Sequence, residues 1–177
     1  RKVSTDGKAA LKNLDGPRLN TPDWLWEQWV AAYGEEAARN IAASHLNEAP
    51  LDISVKDKPE YWAQQLKGEL LPTGTIRLAS GDSNLQELPG FSEGEWWVQD
   101  AASALPAKLL GDIAGKSVLD LCAAPGGKTA QLVSAGAIVT AVDDSVTRMN
   151  RLRENLARLK LPVTTLLADV LSLPTDT

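Results

Sequence analysis

The strongest constraint on the fold is the run Val118-Leu119-Asp120-Leu121-Cys122-Ala123-Ala124-Pro125-Gly126-Gly127-Lys128-Thr129. An apolar segment ends in small residues and two glycines, and a helix-compatible segment follows at once. Such a turn lets a ligand approach the backbone closely and aims free N–H groups at an anion. The downstream pattern keeps the same rhythm. It predicts a buried strand over 117–121, a helix over about 127–135 and a second buried strand over 138–142. Asp144 or Ser145 then caps a helix whose inward face is Met149, Leu152, Leu156 and Leu159, and a third strand covers 163–167. Strand–helix–strand–helix–strand with apolar strands predicts an α/β fold, half of a doubly wound parallel sheet.

Three ligand classes compete for a loop of this kind. A triphosphate-binding P-loop needs G-x-x-x-x-G-K-[ST]. Gly127-Lys128-Thr129 matches its tail, but Cys122 stands where the first glycine belongs. The dinucleotide fingerprint G-x-G-x-x-G is absent. The third class is an adenosine ligand whose anionic group is a carboxylate. It calls for an acid at the end of the second strand, for the ribose hydroxyls, and a polar group at the end of the third. Asp143 and Asp169 follow those strands. With the loop, they form the pattern expected for S-adenosylmethionine (SAM).

Upstream, residues 1–20 show no sustained apolar period and read as a tail or linker. They carry Arg1, Lys2, Lys8, Lys12 and Arg18 against Asp6 and Asp15, a local charge of +3 in a chain of net −5. Thr21-Pro22 reads as an N-cap and first helical residue. Trp26, Trp29, Val30 and Tyr33 then share one helical face, and Gly34 ends the helix. A second helix is expected over 35–45, with Ala38, Ile41 and Ala42 inward. From Pro50 the pattern shortens to a strand Leu51–Val55, a helix over 59–67 and a strand over 75–78, a small α+β module. Trp96 and Trp97 read as core aromatics, and a helix is expected over 100–110. The predicted division is therefore 1–20 basic tail, 21–93 accessory helical and α+β domain, and 94–177 the region with the SAM-binding pattern.

At 177 residues with 44% hydrophobic and 23% charged side chains, the chain has a globular composition. No apolar stretch approaches the roughly 18 residues of a membrane span, so a soluble protein is expected. Cys122 is the single cysteine and His45 the single histidine. That pair excludes a disulfide framework, fits a reducing compartment and argues against a zinc site, so no metal is expected. His45 has no acid placed to orient it and reads as structural. The acidic balance is the wrong sign for a surface that is one large nucleic-acid patch.

Residues 94–177 resemble the first half of the RNA cytosine-C5 methyltransferase (RsmB/Nop2/NSUN-like) family. The resemblance rests on Val98-Gln99-Asp100-Ala101-Ala102-Ser103, on the Asp120 to Thr129 loop, and on Val142-Asp143 followed by Arg148, Arg151, Leu152, Glu154, Asn155 and Leu156. Residues 21–93 resemble, less specifically, the small domain preceding the methyltransferase in that family. The resemblance implies a Rossmann-like sheet and SAM as cofactor. It places Cys122, Ala123, Ala124, Pro125, Gly126, Gly127 and Lys128 at the methionine end, Asp143 at the ribose and Asp169 at the adenine. It implies RNA as partner, ribosomal and bacterial, with the 16S molecule as substrate and the cytoplasm as compartment.

One departure matters. Family enzymes attack cytosine C6 with a cysteine thiolate and use a second cysteine for release, both beyond the third strand. Here Cys122 is the only thiol and lies in the cofactor loop, where it reads as a small half-buried residue. No catalytic residue is assigned, and the 177 residues are expected to be inactive alone. By resemblance the strand at 117–121 is central in the whole sheet, so an open edge and self-association are expected. The rival reading is a non-catalytic RNA-binding or assembly module that retains a SAM fold. Arg148, Arg151, Arg153, Arg158 and Lys160 read as the solvated face of their helix.

Overall fold

A computed structural model describes residues 14–79 and 84–173 of the chain. The expected tail therefore lies outside the described residues up to position 13. Its remainder is not a linker, because Gly16–Leu19 forms a short helix, α1, capped by the Asp15 side chain. Two compact units divide at Ala49 and Pro50.

The first unit adds α2 (Asp23–Tyr33) and α3 (Glu35–Ser44). Gly34 ends α2 with φ +81°, as its position predicts. Thr21 does not cap α2; its hydroxyl donates to the Pro17 carbonyl of α1 at 2.8 Å. The expected inward face of α2 holds only in part, since Tyr33 is exposed and no residue of that helix is fully buried. Trp26 instead lies within stacking distance of two guanidinium groups, Arg18 at 5.1 Å and Arg39 at 5.6 Å. Ala38 and Ala42 of α3 are buried, and His45 meets the edge of Trp29.

The second unit opens with β1 (Leu51–Val55), α4 (Pro59–Gln65), β2 (Glu69–Leu70), β3 (Ile76–Leu78) and β4 (Trp96–Val98). These strands form one antiparallel sheet in the order β2-β3-β1-β4. Its core is Ile53, Ile76 and Trp96, all fully buried. The expected division at residue 93 therefore falls inside one sheet: β4 pairs with β1. The helix expected over 100–110 shrinks to α5 (Leu105–Lys108), preceded by turns. Pro106 has no N–H to continue a helix from Ala102.

Then follow β5 (Ser117–Asp120), α6 (Gly127–Ser134), β6 (Ile138–Asp143), α7 (Val146–Arg158) and β7 (Thr164–Leu167), with β5-β6-β7 a parallel sheet. The Ser145 side chain caps α7. Met149, Leu152, Leu156 and Leu159 are buried against Ala141, Ala124 and Trp97. Each such side chain contributes about 1.5–3 kcal/mol of hydrophobic stabilisation. The strands are less buried than their composition predicts, because α6 and α7 cover one face only. Val118, Val139 and Ala141 pack beneath those helices, whereas Leu119 and Ile138 of the opposite face stay 45% and 65% exposed.

Arg158 joins this half to the small sheet. Its Nη1 donates to the carbonyls of Phe91 at 2.7 Å and Trp96 at 3.2 Å, and the guanidinium stacks on Phe91 at 4.1 Å. Burial moves its pKa below the ordinary guanidinium value. Gly94, at φ +78°, lets the turn approach this point; a Cβ there would lie 2.0 Å from the Arg158 carbonyl oxygen. Arg158 is thus no solvated residue. No helix among the described residues is long and apolar enough to cross a membrane.

Candidate functional site

In open parallel sheets ligands bind beyond the C-terminal ends of the strands. Here that end is built around the loop from Leu121 to Gly126. Asp120 closes β5 and accepts the Thr129 hydroxyl at 2.6 Å, which fastens the strand end to the first turn of α6. The Ala123 N–H donates to the Val142 carbonyl at 3.0 Å, tying the loop to β6. The Asn155 side chain donates to the Pro125 carbonyl at 2.9 Å from α7, and the Ala124–Pro125 peptide is cis. Gly126 stands at φ +105° directly before α6, and a Cβ there would lie 3.4 Å from Leu152. The first N–H groups of α6 have no intrahelical partner and face outward from its N-terminus.

Asp143 closes β6 with its side chain only 2% exposed. Its Oδ2 accepts the Ala124 N–H at 3.2 Å and lies 3.1 Å from Arg148 Nη2; its Oδ1 accepts the Ser145 N–H at 3.1 Å. Asp169 follows β7, where its Oδ1 accepts the Leu171 N–H at 2.9 Å and opens a single helical turn.

Two clefts flank the loop and share Cys122. One, about 200 Å³, is lined by Leu121, Cys122, Asp143, Arg148 and Asp169. The other, about 220 Å³, lies between Gln99, Asp100 and Ser103 on one side and Cys122, Pro125 and Lys128 on the other. Ala123, Ala124 and Gly127 also line the second cleft, while Gly126 sits behind it against Leu152. A larger cleft of about 420 Å³, between Thr75, Trp97, Lys108 and Leu132, touches none of the residues expected in the site.

Two expectations need correction. Cys122 is exposed rather than half-buried, because both clefts open onto it. Arg148 is more than a solvated residue: half exposed, its Nη2 also donates to the Ala124 carbonyl at 3.1 Å and it lines the smaller cleft. Sequence reasoning also missed Gln99 as a structural relay. Its amide accepts from Trp97 Nε1 and donates to Gln131, which donates on to the Ala104 carbonyl. The signal available was two glutamines and a tryptophan on apolar-facing positions.

The family model for 16S rRNA methyltransferase RsmB/F matches residues 107–176. The chain is 33% identical over 172 residues to the ribosomal RNA small subunit methyltransferase B of Vibrio cholerae, covering 91% of this chain and 39% of that protein. Identity to the protein of the same name in Pseudomonas syringae is 36% over 186 residues, covering 96% and 41%. Over residues 107–176 the chain matches the RsmB/F family of ribosomal RNA methyltransferases, and it is similar to these relatives over most of its own length. It spans about two fifths of the length of these curated relatives. A solved methyltransferase homologue from Pyrococcus horikoshii shares the fold of this chain, with a TM-score of 0.75 at 23% identity over 89% of this chain and 56% of that one.

Proposed function

We propose that this chain is the SAM-binding part of an enzyme that methylates cytosine C5 in 16S ribosomal RNA. The reading is carried by one observation. Asp143, Asp169 and Cys122 line one cleft at the strand ends, and the loop from Cys122 to Lys128 separates it from a second. Relatives named as ribosomal RNA small subunit methyltransferases support the substrate class.

The residues fit the cofactor. SAM, when bound, supplies a methyl group on a positively charged sulfur. Lys128 and the first amides of α6 present positive charge to its carboxylate. Asp143 Oδ1 keeps a lone pair beyond the Ser145 bond for a ribose hydroxyl. Asp169, across the cleft from Asp143, accepts from the adenine side. Cys122 sits where the clefts meet, so it serves as a small lining residue and not as the nucleophile. With no other thiol in the chain, these residues alone transfer no methyl group to cytosine. Residues from β4 onward act as the methyltransferase region, and the strands before it stay joined to that region through the pairing of β4 with β1. One cysteine and a ribosomal RNA substrate together favour action in the cytoplasm.

Isothermal titration tests the reading. SAM and S-adenosylhomocysteine should bind, ATP should not compete, and either ligand should slow labelling of Cys122 by a thiol reagent. Tritiated SAM with unmodified ribosomal RNA should leave cytosine C5 unlabelled. Absence of adenosyl-ligand binding together with retained RNA binding would favour the non-catalytic module instead.

A further inference from the structure

Asp52 lies on β1, in the antiparallel sheet, with its side chain fully buried. A buried carboxylate is costly unless its oxygens are satisfied. Arg77 on β3 supplies a bidentate partner, Nε at 2.8 Å and Nη2 at 2.9 Å. The same carboxylate makes a further bond that the sheet does not require. Its Oδ2 accepts the Ala101 N–H at 3.1 Å, and the Asp52 carbonyl accepts the Gln99 N–H at 3.0 Å. Both amides belong to the segment that follows β4, whose Gln99, Asp100 and Ser103 form one wall of the second cleft. The opposite wall is the loop after β5.

We propose that Asp52 is a positioning residue for that cleft. By holding the amides of Gln99 and Ala101, it sets the spacing between the 99–103 wall and the 122–128 loop, and thereby the affinity for the methionine end of the cofactor. The proposal rests on the reading of the cleft as a SAM site. An ion pair that served stability alone would be replaceable by packed apolar residues; the Ala101 bond gives this one a second task.

Two variants of the full chain separate the tasks. D52L removes the acceptor of the Ala101 amide. R77M keeps that acceptor and strands its charge, which should cost the fold more. Hydrogen–deuterium exchange in the 99–103 segment should speed about tenfold in D52L and stay near wild type in R77M. S-adenosylhomocysteine affinity by titration should fall about tenfold in D52L and less than about twofold in R77M, although R77M has the lower melting temperature. If D52L does not fold, D52A, which also removes the side-chain acceptor of the Ala101 amide, carries the same comparison. Effects that are equal in both variants, or that follow melting temperature, reduce Asp52 to a structural ion pair and overturn the proposal. A wild-type chain that binds no S-adenosylhomocysteine, yet shows faster exchange only in D52L, sinks the cofactor reading and keeps the positioning role. Normal binding with unchanged exchange in D52L sinks the positioning role alone.

Discussion

Asp143 and Arg148 meet at 3.1 Å in the smaller cleft, the carboxylate buried and the guanidinium half exposed. Because Arg148 also donates to the Ala124 carbonyl, one side chain from the first turns of α7 ties the end of β6 to the loop after β5. Charge-assisted bonds of this kind contribute about 1.5–3 kcal/mol. Arg148→Met should therefore weaken S-adenosylhomocysteine binding about tenfold or more, and Arg148→Lys should recover part of the loss. Titration of both variants measures this. Affinity equal to wild type in Arg148→Met would remove the residue from the site.

Asp143→Ala should be more damaging. The ribose contact alone is expected to contribute roughly 1.5–3 kcal/mol, or about 10- to 150-fold in affinity. The substitution also leaves the Ala124 and Ser145 amides without their acceptor. Asp143→Asn, which keeps one acceptor oxygen, should fall between wild type and alanine. Equal affinities across the three proteins would contradict the assignment.

Gly126→Val should weaken binding by a different route. The position holds φ +105°, which a β-branched residue tolerates poorly, and its Cβ would press on Leu152 at 3.4 Å. A backbone held in such a region costs about 1–3 kcal/mol. A lower melting temperature and a weaker SAM affinity should appear together in calorimetry. A melting temperature equal to wild type would show that the turn relaxes at no cost.

The parallel half of the fold was legible because its signals are local. The α7 stripe of Met149, Leu152, Leu156 and Leu159 is buried as its spacing predicts, and Ser145 caps that helix. Asp143 and Asp169 could be placed because strand ends follow from apolar runs. What sequence could not show was partnership at a distance. Arg148 and Arg158 look like any cations on a polar helix face, yet their partners are carbonyls 24 and 67 residues away. Asp52 likewise reads as the polar position of an alternating strand, while its partners stand on β3 and beyond β4. The boundary near residue 93 misled for the same reason, since strand pairing of β4 with β1 leaves no compositional mark.

The Asp52–Arg77 pair also sets an acid sensitivity. The Arg77 guanidinium, and then the Ala101 amide, hold the Asp52 pKa below the ordinary carboxylate value, against the opposing effect of burial. A carboxylate with a depressed folded-state pKa adds stability above its unfolded value, about 3.9, and that stability is lost as pH falls through the folded value. Urea unfolding should thus show a decline below about pH 4 that D52N, which cannot titrate, shows to a smaller degree. Identical pH slopes for the two proteins would remove Asp52 from the acid response.

The last expectation concerns the sheet itself. Among the described residues β5 pairs with β6 on one side only, which leaves the N–H and C=O groups of its other side without a strand partner there. The face away from α6 and α7 adds exposed Leu119 and Ile138. An apolar, unpaired edge is a template for another strand, and apolar surface beside it adds a driving force. The 177-residue chain should therefore self-associate at micromolar concentration, through β5 of one copy and an edge of another. Light scattering should report a mass above that of one chain. Leu119→Lys, which puts a charge on this face beside the edge, should shift the population towards the monomer without changing the far-ultraviolet spectrum. A monodisperse monomer that melts cooperatively would refute the edge argument, and an oligomer insensitive to Leu119→Lys would place the contact elsewhere on the molecule.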